Sequence, residues 1–266
     1  MTRTTQQLFD LTGKTALITE GASGLGLQMA HALGGAGARI MLSACKADEL
    51  EAAMTELHDA GIDTRWVVAD CAVVKDLERL VNETLHRMGD VDILVNNAGI
   101  TRDAPAPRDP ADAWDGVMVL NVRSYFLLSQ LIGRQSMIGR GGRIINVACN
   151  AASNLGLGGD PTGLNTLAHQ TSQCAVINFT RALASEWGPH GINVNAICPG
   201  IFACQLTANT MATLPEDHRA AALPLKRLGN EDDLKGVTLL FASDAGKYIT
   251  GQWLAVDGGA SAVTRA

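Results

Sequence analysis

The sequence predicts a doubly wound α/β domain, a sheet of about seven parallel strands with helices on both faces. Three observations predict it. Short apolar, often β-branched runs alternate with helix-length segments along most of the 266 residues. The first run leads through a tight turn holding Gly21, Gly24 and Gly26 straight into a helix. The later runs end in polar or turn-forming residues, among them Asp70, Asn96 to Gly99 and Pro199-Gly200, at the strand ends where sheets of this kind take their ligands.

Residues 1–14 read as a polar lead-in. Strand one is expected over Ala16–Thr19, with a helix from Gly24 through Met29, Ala30 and Leu33. In the turn between them, Gly21, Gly24 and Gly26 let backbone come close to a ligand. The first N–H groups and the dipole of the helix favour an anion there, such as a dinucleotide pyrophosphate. Strand two is Arg39–Ser43, followed by a helix over Ala47–Ala60. Strand three is Arg65–Ala69, followed by a helix over Lys75–Met88. Strand four, Ile93–Val95, runs into Asn96-Asn97-Ala98-Gly99. A Pro-rich loop, Pro105 to Pro110, leads to a long helix over Ala111–Ile138. Strand five is Arg143–Val147. A loop rich in Gly, Asn and Ser over 150–166 precedes a helix over Leu167–Trp187 and strand six, Asn193–Ile197. Residues 203–222 suggest a small helical flap over the substrate. A helix over Glu231–Ser243 and a last strand, Trp253–Val256, complete one domain, with no repeat, linker or composition break.

Composition narrows the function. A net charge of −6 argues against nucleic acid and anionic membranes, which call for basic patches. Six scattered cysteines without a CxxC pair argue against a disulfide frame or zinc site, and metal ligands are not expected. The N-terminus lacks an apolar leader, and no apolar run looks long enough to span a membrane. A cytoplasmic protein with reduced thiols is expected.

Thr19…Gly24-Leu25-Gly26, Asp70, Asn96-Asn97-Ala98-Gly99, Asn121, Pro199-Gly200 and Asp257-Gly258-Gly259 stand in one order and spacing over residues 10–262. In this the chain resembles the short-chain dehydrogenase/reductase family, whose fold is Rossmann-type. The run NFTRALASEWGPHGINVNAICPG is similar to the sugar-alcohol branch that includes gluconate 5-dehydrogenases. The resemblance implies NAD or NADP held by the turn residues Thr19, Gly21, Ser23, Gly24, Leu25 and Gly26. Asp70, with Cys71 beside it, would meet the adenine, and Asn97, Ala98 and Gly99 would line the adenosine side. Pro199 and Gly200 would shape the nicotinamide end, and Asn121 would place a water in the proton relay. It also implies a small-molecule substrate and dimers or tetramers formed through the helices at 111–138 and 167–187.

The family's chemistry uses a serine at the substrate oxygen, a tyrosine that moves the proton, and a lysine four residues later. The lysine holds the nicotinamide ribose and lowers the tyrosine's pKa from about 10. Alignment puts these positions on Cys149, His169 and Gln173, and neither of the two tyrosines, Tyr125 and Tyr248, lies nearby in sequence. A threonine that usually follows Pro-Gly maps onto Cys204. The glycine expected after Thr19 is Glu20. Glu20 either brings a negative charge against the phosphates or turns outward and merely weakens binding. His169, titrating near pH 6.5 when unperturbed, is either an acid–base group or a helix histidine facing a vacated cleft. Gln173 keeps hydrogen bonding to a ribose hydroxyl without the charge. Cys149 is either a nucleophile beside His169 or a small buried residue, and Cys45, Cys71, Cys174 and Cys198 read as small buried residues. At the end of strand two, Ala44, Cys45 and Lys46 offer no acid for a ribose diol, and Lys46 leans the cofactor toward NADP.

Three functions fit these residues. The first is an NAD(P)-dependent oxidoreductase of a small ketone or secondary alcohol, working through His169, Asn121 and Gln173. The second is a non-catalytic subunit or binding module paired with an active paralogue. The third is a repurposed site running isomerase, lyase or acyl-transfer chemistry through His169 and Cys149.

Overall fold

In a computed structural model, residues 2–102, 105–150, 166–202, 220–221 and 223–262 are described. Seven parallel strands form one sheet in the order β3-β2-β1-β4-β5-β6-β7. They are β1 (Thr15–Thr19), β2 (Arg39–Ala44), β3 (Thr64–Val68), β4 (Ile93–Asn96), β5 (Gly142–Val147), β6 (Ile192–Pro199) and β7 (Trp253–Val256). The helices are α1 (Thr5–Phe9), α2 (Gly24–Gly35), α3 (Ala47–Asp59), α4 (Val74–Met88), α5 (Ala111–Met137), α6 (Leu167–Trp187) and α7 (Lys235–Ala242).

Every residue of β1 is buried, as a strand covered on both faces requires. Its alternation divides the core into two layers. Ile18 joins Met29, Leu33, Ile40, Leu42, Leu50 and Leu57 on the side of α2, α3 and α7. Leu17 joins Met41, Leu77, Leu80, Leu94 and Ile132 on the side of α4 to α6. Burial of each such side chain contributes roughly 2 kcal/mol against chain entropy. β1 pairs with β2 on one flank and β4 on the other, Leu17 standing opposite both Met41 and Leu94. The order of strands reverses between β1 and β4, and a crevice opens at their carboxyl ends.

Several boundaries differ from expectation. The polar lead-in carries α1, because Thr4 and Gln7 cap each other's backbone N–H groups. The long helix is continuous but holds two π turns, Val119–Arg123 and Gly133–Met137. By length and apolar composition alone its 27 residues pass for a membrane span, contrary to the sequence reading. Its buried residues Leu128 and Ile132 instead pack in the core against the α4 residues Leu77 and Leu80. The last helix begins at Lys235 rather than Glu231, after a run of turns. The expected flap over 203–222 lies outside the described residues except for Ala220 and Ala221. The loop of 150–166 is likewise described only at its two ends.

Candidate active site and dinucleotide crevice

The crevice is built from the ends of β1, β4 and β5 and the start of α2. Thr19 closes β1 with a buried hydroxyl. Its Oγ1 accepts from the amides of Asn97 at 2.9 Å and Ala98 at 3.1 Å, and lies 3.4 Å from the Val95 carbonyl. Asn97 returns its side-chain N–H groups to the carbonyls of Thr19 (3.0 Å) and Glu20 (3.2 Å). These bonds clamp the two strand ends together. Gly26 fills the angle between them, since a Cβ there would stand 2.2 Å from the Glu20 carbonyl and 2.8 Å from Asn97 Nδ2. Gly24 opens α2 with a φ of 53°, a left-handed conformation suited to glycine. Ser23, exposed, caps that helix by position without a side-chain bond, and Leu25 is half-buried against the core.

Glu20 also adopts a left-handed φ, 48°. That explains why a glycine is expected at this position. Its side chain does not turn outward. Oε2 accepts from the Gly99 amide at 3.3 Å, across the crevice from β1 to the segment after β4. Burial, chiefly, and the negative charges of Asp70 and Glu49 push its carboxyl up to about 7, against the lowering pull of the Gly99 bond.

Around the adenosine end, Asp70 is exposed and caps its own turn, accepting from the Ala72 amide at 2.8 Å. Cys71 is buried, and desolvation pushes its thiol up to about 12. Cys45 is exposed, contrary to the expectation of a buried residue, because it stands just past the end of β2. Lys46 reaches Glu49 Oε1 at 2.7 Å, so its charge is engaged on the exposed side of α3.

On the other side of the crevice, α5 and α6 carry Asn121, His169 and Gln173. Asn121 is buried in the first π turn of α5, and such turns often mark functional positions. Its Oδ1 accepts from the Ile100 amide at 2.8 Å. Its Nδ2 donates to the Ile100 carbonyl at 2.9 Å and to Ser172 Oγ at 2.9 Å. His169 Nδ1 lies 3.0 Å from that same carbonyl and 3.5 Å from Asn121 Nδ2. A carbonyl only accepts, so this geometry puts the proton of the neutral ring on Nδ1 and the basic lone pair on Nε2. One helical turn on, Gln173 shares the face of His169. It is 4 % exposed, and its Oε1 has no partner. Thr101 Oγ1, just past Ile100, is likewise buried without one. Buried acceptors without donors are rare in folded proteins, and a ribose hydroxyl would supply a donor to Gln173.

Cys149 and His169 each have a contact of their own at the edge of the crevice. The thiol lies 3.5 Å from Asn150 Oδ1, while His169 is anchored on Ile100. Neither tyrosine fills the missing place. Tyr125 is buried and donates to the Val147 carbonyl at 3.0 Å, with desolvation holding its hydroxyl well above the usual range. Tyr248 is fully exposed. Pro199 ends β6, and Gly200 abuts Asp257, whose Cβ would stand 2.6 Å from an added Cβ. Cys204 lies outside the described residues. Sequence reasoning missed Ile100, Ser172 and Thr101. Ser172 alone left a signal, standing three residues after His169 and just before Gln173.

The helix α6 is oriented by a buried polar chain. Asn96 Nδ2 donates to Asn146 Oδ1 (2.8 Å), whose Nδ2 donates to Thr180 Oγ1 on α6 (2.9 Å). A doubly wound sheet with a glycine turn at the switch point, faced by the helix that carries His169 and Gln173, fits the nicotinamide-dinucleotide oxidoreductases as a class. Comparison with known proteins narrows it. Residues 21–261 match the family model described as Enoyl-(Acyl carrier protein) reductase. The chain is 38 % identical over 256 residues to 2-dehydro-3-deoxy-D-gluconate 5-dehydrogenase of Dickeya dadantii, covering 94 % of this chain and 96 % of that one. It is 34 % identical to gluconate 5-dehydrogenase of Gluconobacter oxydans, covering 95 % and 96 %. The crystal structure of a gluconate 5-dehydrogenase from Burkholderia cenocepacia, in complex with NADP and tartrate, superposes with a TM-score of 0.89. It is 30 % identical, with 98 % of this chain and all of that one covered. The chain belongs to the short-chain dehydrogenase/reductase family.

Proposed function

We propose that the protein is a short-chain oxidoreductase interconverting a secondary alcohol and a ketone on a small sugar acid, with His169 as the proton-transfer group. One observation carries this reading. His169 is anchored through Nδ1 on the Ile100 carbonyl, next to Asn121, and this leaves the basic lone pair of the neutral ring on Nε2. An NAD or NADP cofactor would be held by the turn at Gly24, Leu25 and Gly26, with Asn97 behind it, Gln173 at the ribose and Pro199-Gly200 at the far end. Bound there, it would supply or accept the hydride. His169 then takes a proton from the alcohol in oxidation, or gives one to the ketone oxygen in reduction. Asn121 fixes the ring through Ile100, and Ser172 ties Asn121 to the His169 carbonyl. The sugar-acid relatives support the substrate class. Exposed Phe126 and Leu167 on α5 and α6 support a homo-oligomer formed through those helices. Cys45, Cys71 and Cys198 form no disulfide, which suits a reducing cytoplasm.

The test is reduction of 5-keto-gluconate with NADH and NADPH, and oxidation of 2-dehydro-3-deoxygluconate with NAD+ and NADP+, by wild type and His169→Ala. Activity lost in the variant supports the reading; equal activity in both sinks it. The placement of Glu20 in the crevice favours a second reading, a non-catalytic subunit paired with an active relative. In that case wild type shows no turnover, and pull-down recovers a relative with the serine, tyrosine and lysine in place. Gain of ketone reduction on combining Glu20→Gly, Cys149→Ser, His169→Tyr and Gln173→Lys would show that the pocket still takes such substrates. The Cys149–His169 chemistry of the third reading gains no support from a thiol aimed at Asn150.

A further inference from the structure

Glu20 is tied at both ends to the segment that follows β4. Its carbonyl accepts from Asn97 Nδ2 at 3.2 Å, and its carboxyl accepts from the Gly99 amide at 3.3 Å. The residue therefore spans the seam between β1 and β4, where the order of strands reverses and a doubly wound sheet takes its ligand. It holds this position in a left-handed backbone conformation that side-chain-bearing residues rarely adopt, φ 48°.

The groups that face it are acidic or neutral. Glu49 comes from α3, Asp70 and Cys71 follow β3, Cys45 follows β2, and Tyr125 comes from α5. Lys46, the nearby cation on this side, is engaged by Glu49 at 2.7 Å. From the β4 side come the side-chain amide of Asn97 and the backbone amide of Gly99. With burial, these acidic neighbours push the Glu20 carboxyl up to about 7.

We propose that Glu20 is a specificity-determining residue of this crevice, admitting a dinucleotide pyrophosphate when its carboxyl group is neutral and repelling it when ionised. The proposal rests on the reading above that the crevice takes a dinucleotide. An ionised carboxylate in a partly dry cleft stands against the two negative charges of a pyrophosphate. A neutral carboxyl removes that repulsion and offers an O–H donor instead. A dinucleotide then draws a proton onto Glu20 as it binds.

The experiment is calorimetric titration with NAD+, whose pyrophosphate keeps its charge throughout. Wild type, Glu20→Gln and Glu20→Gly are compared from about pH 5.5 to about pH 8.5, where a single linked proton gives at most about a tenfold change per pH unit. Glycine suits the left-handed position, and glutamine keeps the shape without the charge. Wild type is expected to weaken about tenfold per pH unit above 7, while both variants stay flat. Carbon-13 NMR of the carboxyl should show the Glu20 titration moving upward when NAD+ is bound. A wild-type profile parallel to that of Glu20→Gln overturns the inference and leaves the dinucleotide reading standing. Binding by Glu20→Gly alone also overturns it, since Glu20 would then exclude the ligand in either state. Absence of binding by Glu20→Gly at every pH overturns the dinucleotide reading and the inference together.

Discussion

Asn121 and His169 meet on one atom. The carbonyl oxygen of Ile100 stands 2.9 Å from Asn121 Nδ2 and 3.0 Å from His169 Nδ1. The ring is thus fixed by a backbone acceptor that no neighbouring substitution removes. His169→Ala is expected to lower kcat by about 100-fold or more, the usual contribution of a positioned acid–base group. The pH profile carries the sign. Alcohol oxidation needs the neutral ring and should fall toward acid pH, while ketone reduction should rise. Steady-state rates in both directions check this, and profiles that move together would rule His169 out.

Asn121→Ala should weaken the protein as well as the reaction. The substitution leaves the Ile100 amide and Ser172 Oγ without their side-chain partner in the interior. A buried group deprived of its hydrogen bond costs about 1–3 kcal/mol. The urea midpoint should fall accordingly, with the far-ultraviolet spectrum unchanged. A midpoint equal to that of wild type would show that the π turn is held by other contacts.

Glu20 makes stability depend on pH. Its carboxyl binds a proton more tightly folded than unfolded, because its folded value is raised to about 7. The added stability is present at acid pH, below the ordinary carboxylate range, and is lost as pH rises toward and through 7. Glu20→Gln removes the dependence and should stabilise the protein at about pH 8, on the order of 2 kcal/mol. Thermal unfolding of both proteins across this range tests it. Parallel curves would mean that the carboxyl is solvated.

Gly26→Ala should be poorly tolerated. The added methyl would stand 2.2 Å from the Glu20 carbonyl, and backbone cannot step aside as a flexible side chain can. Overpacking of this kind costs about 1–3 kcal/mol. Chemical denaturation is the readout, and dinucleotide binding should be lost along with stability. A variant as stable as wild type would place the turn differently.

Tyr125→Phe separates structure from catalysis. Among the described residues the hydroxyl reaches the Val147 carbonyl alone, so its loss should cost about 1 kcal/mol of stability and leave turnover unchanged. A fall in kcat without a fall in melting temperature would return Tyr125 to the list of reacting groups.

The fold was legible because strands buried on both faces read as unbroken apolar runs, as in Ala16-Leu17-Ile18. The order of the strand-end motifs gave the positions of Asn121, His169 and Gln173. What stayed hidden was direction. A sequence names Glu20 but not the rotamer that carries it to Gly99. It names Lys46 but not its preference for Glu49. Backbone acceptors such as the Ile100 carbonyl leave no residue type to read.

The strand order has a consequence for how the protein is made. β1, β2 and β3 leave the ribosome first and pair among themselves, while the inner edge of β1 waits for β4, some 75 residues further along the chain. During that interval the nascent wing carries a bare apolar strand edge, the kind of surface that recruits chaperones or other growing chains. The two wings are joined where Asn97 binds Thr19, so the contact that completes the sheet at that seam also shapes the crevice.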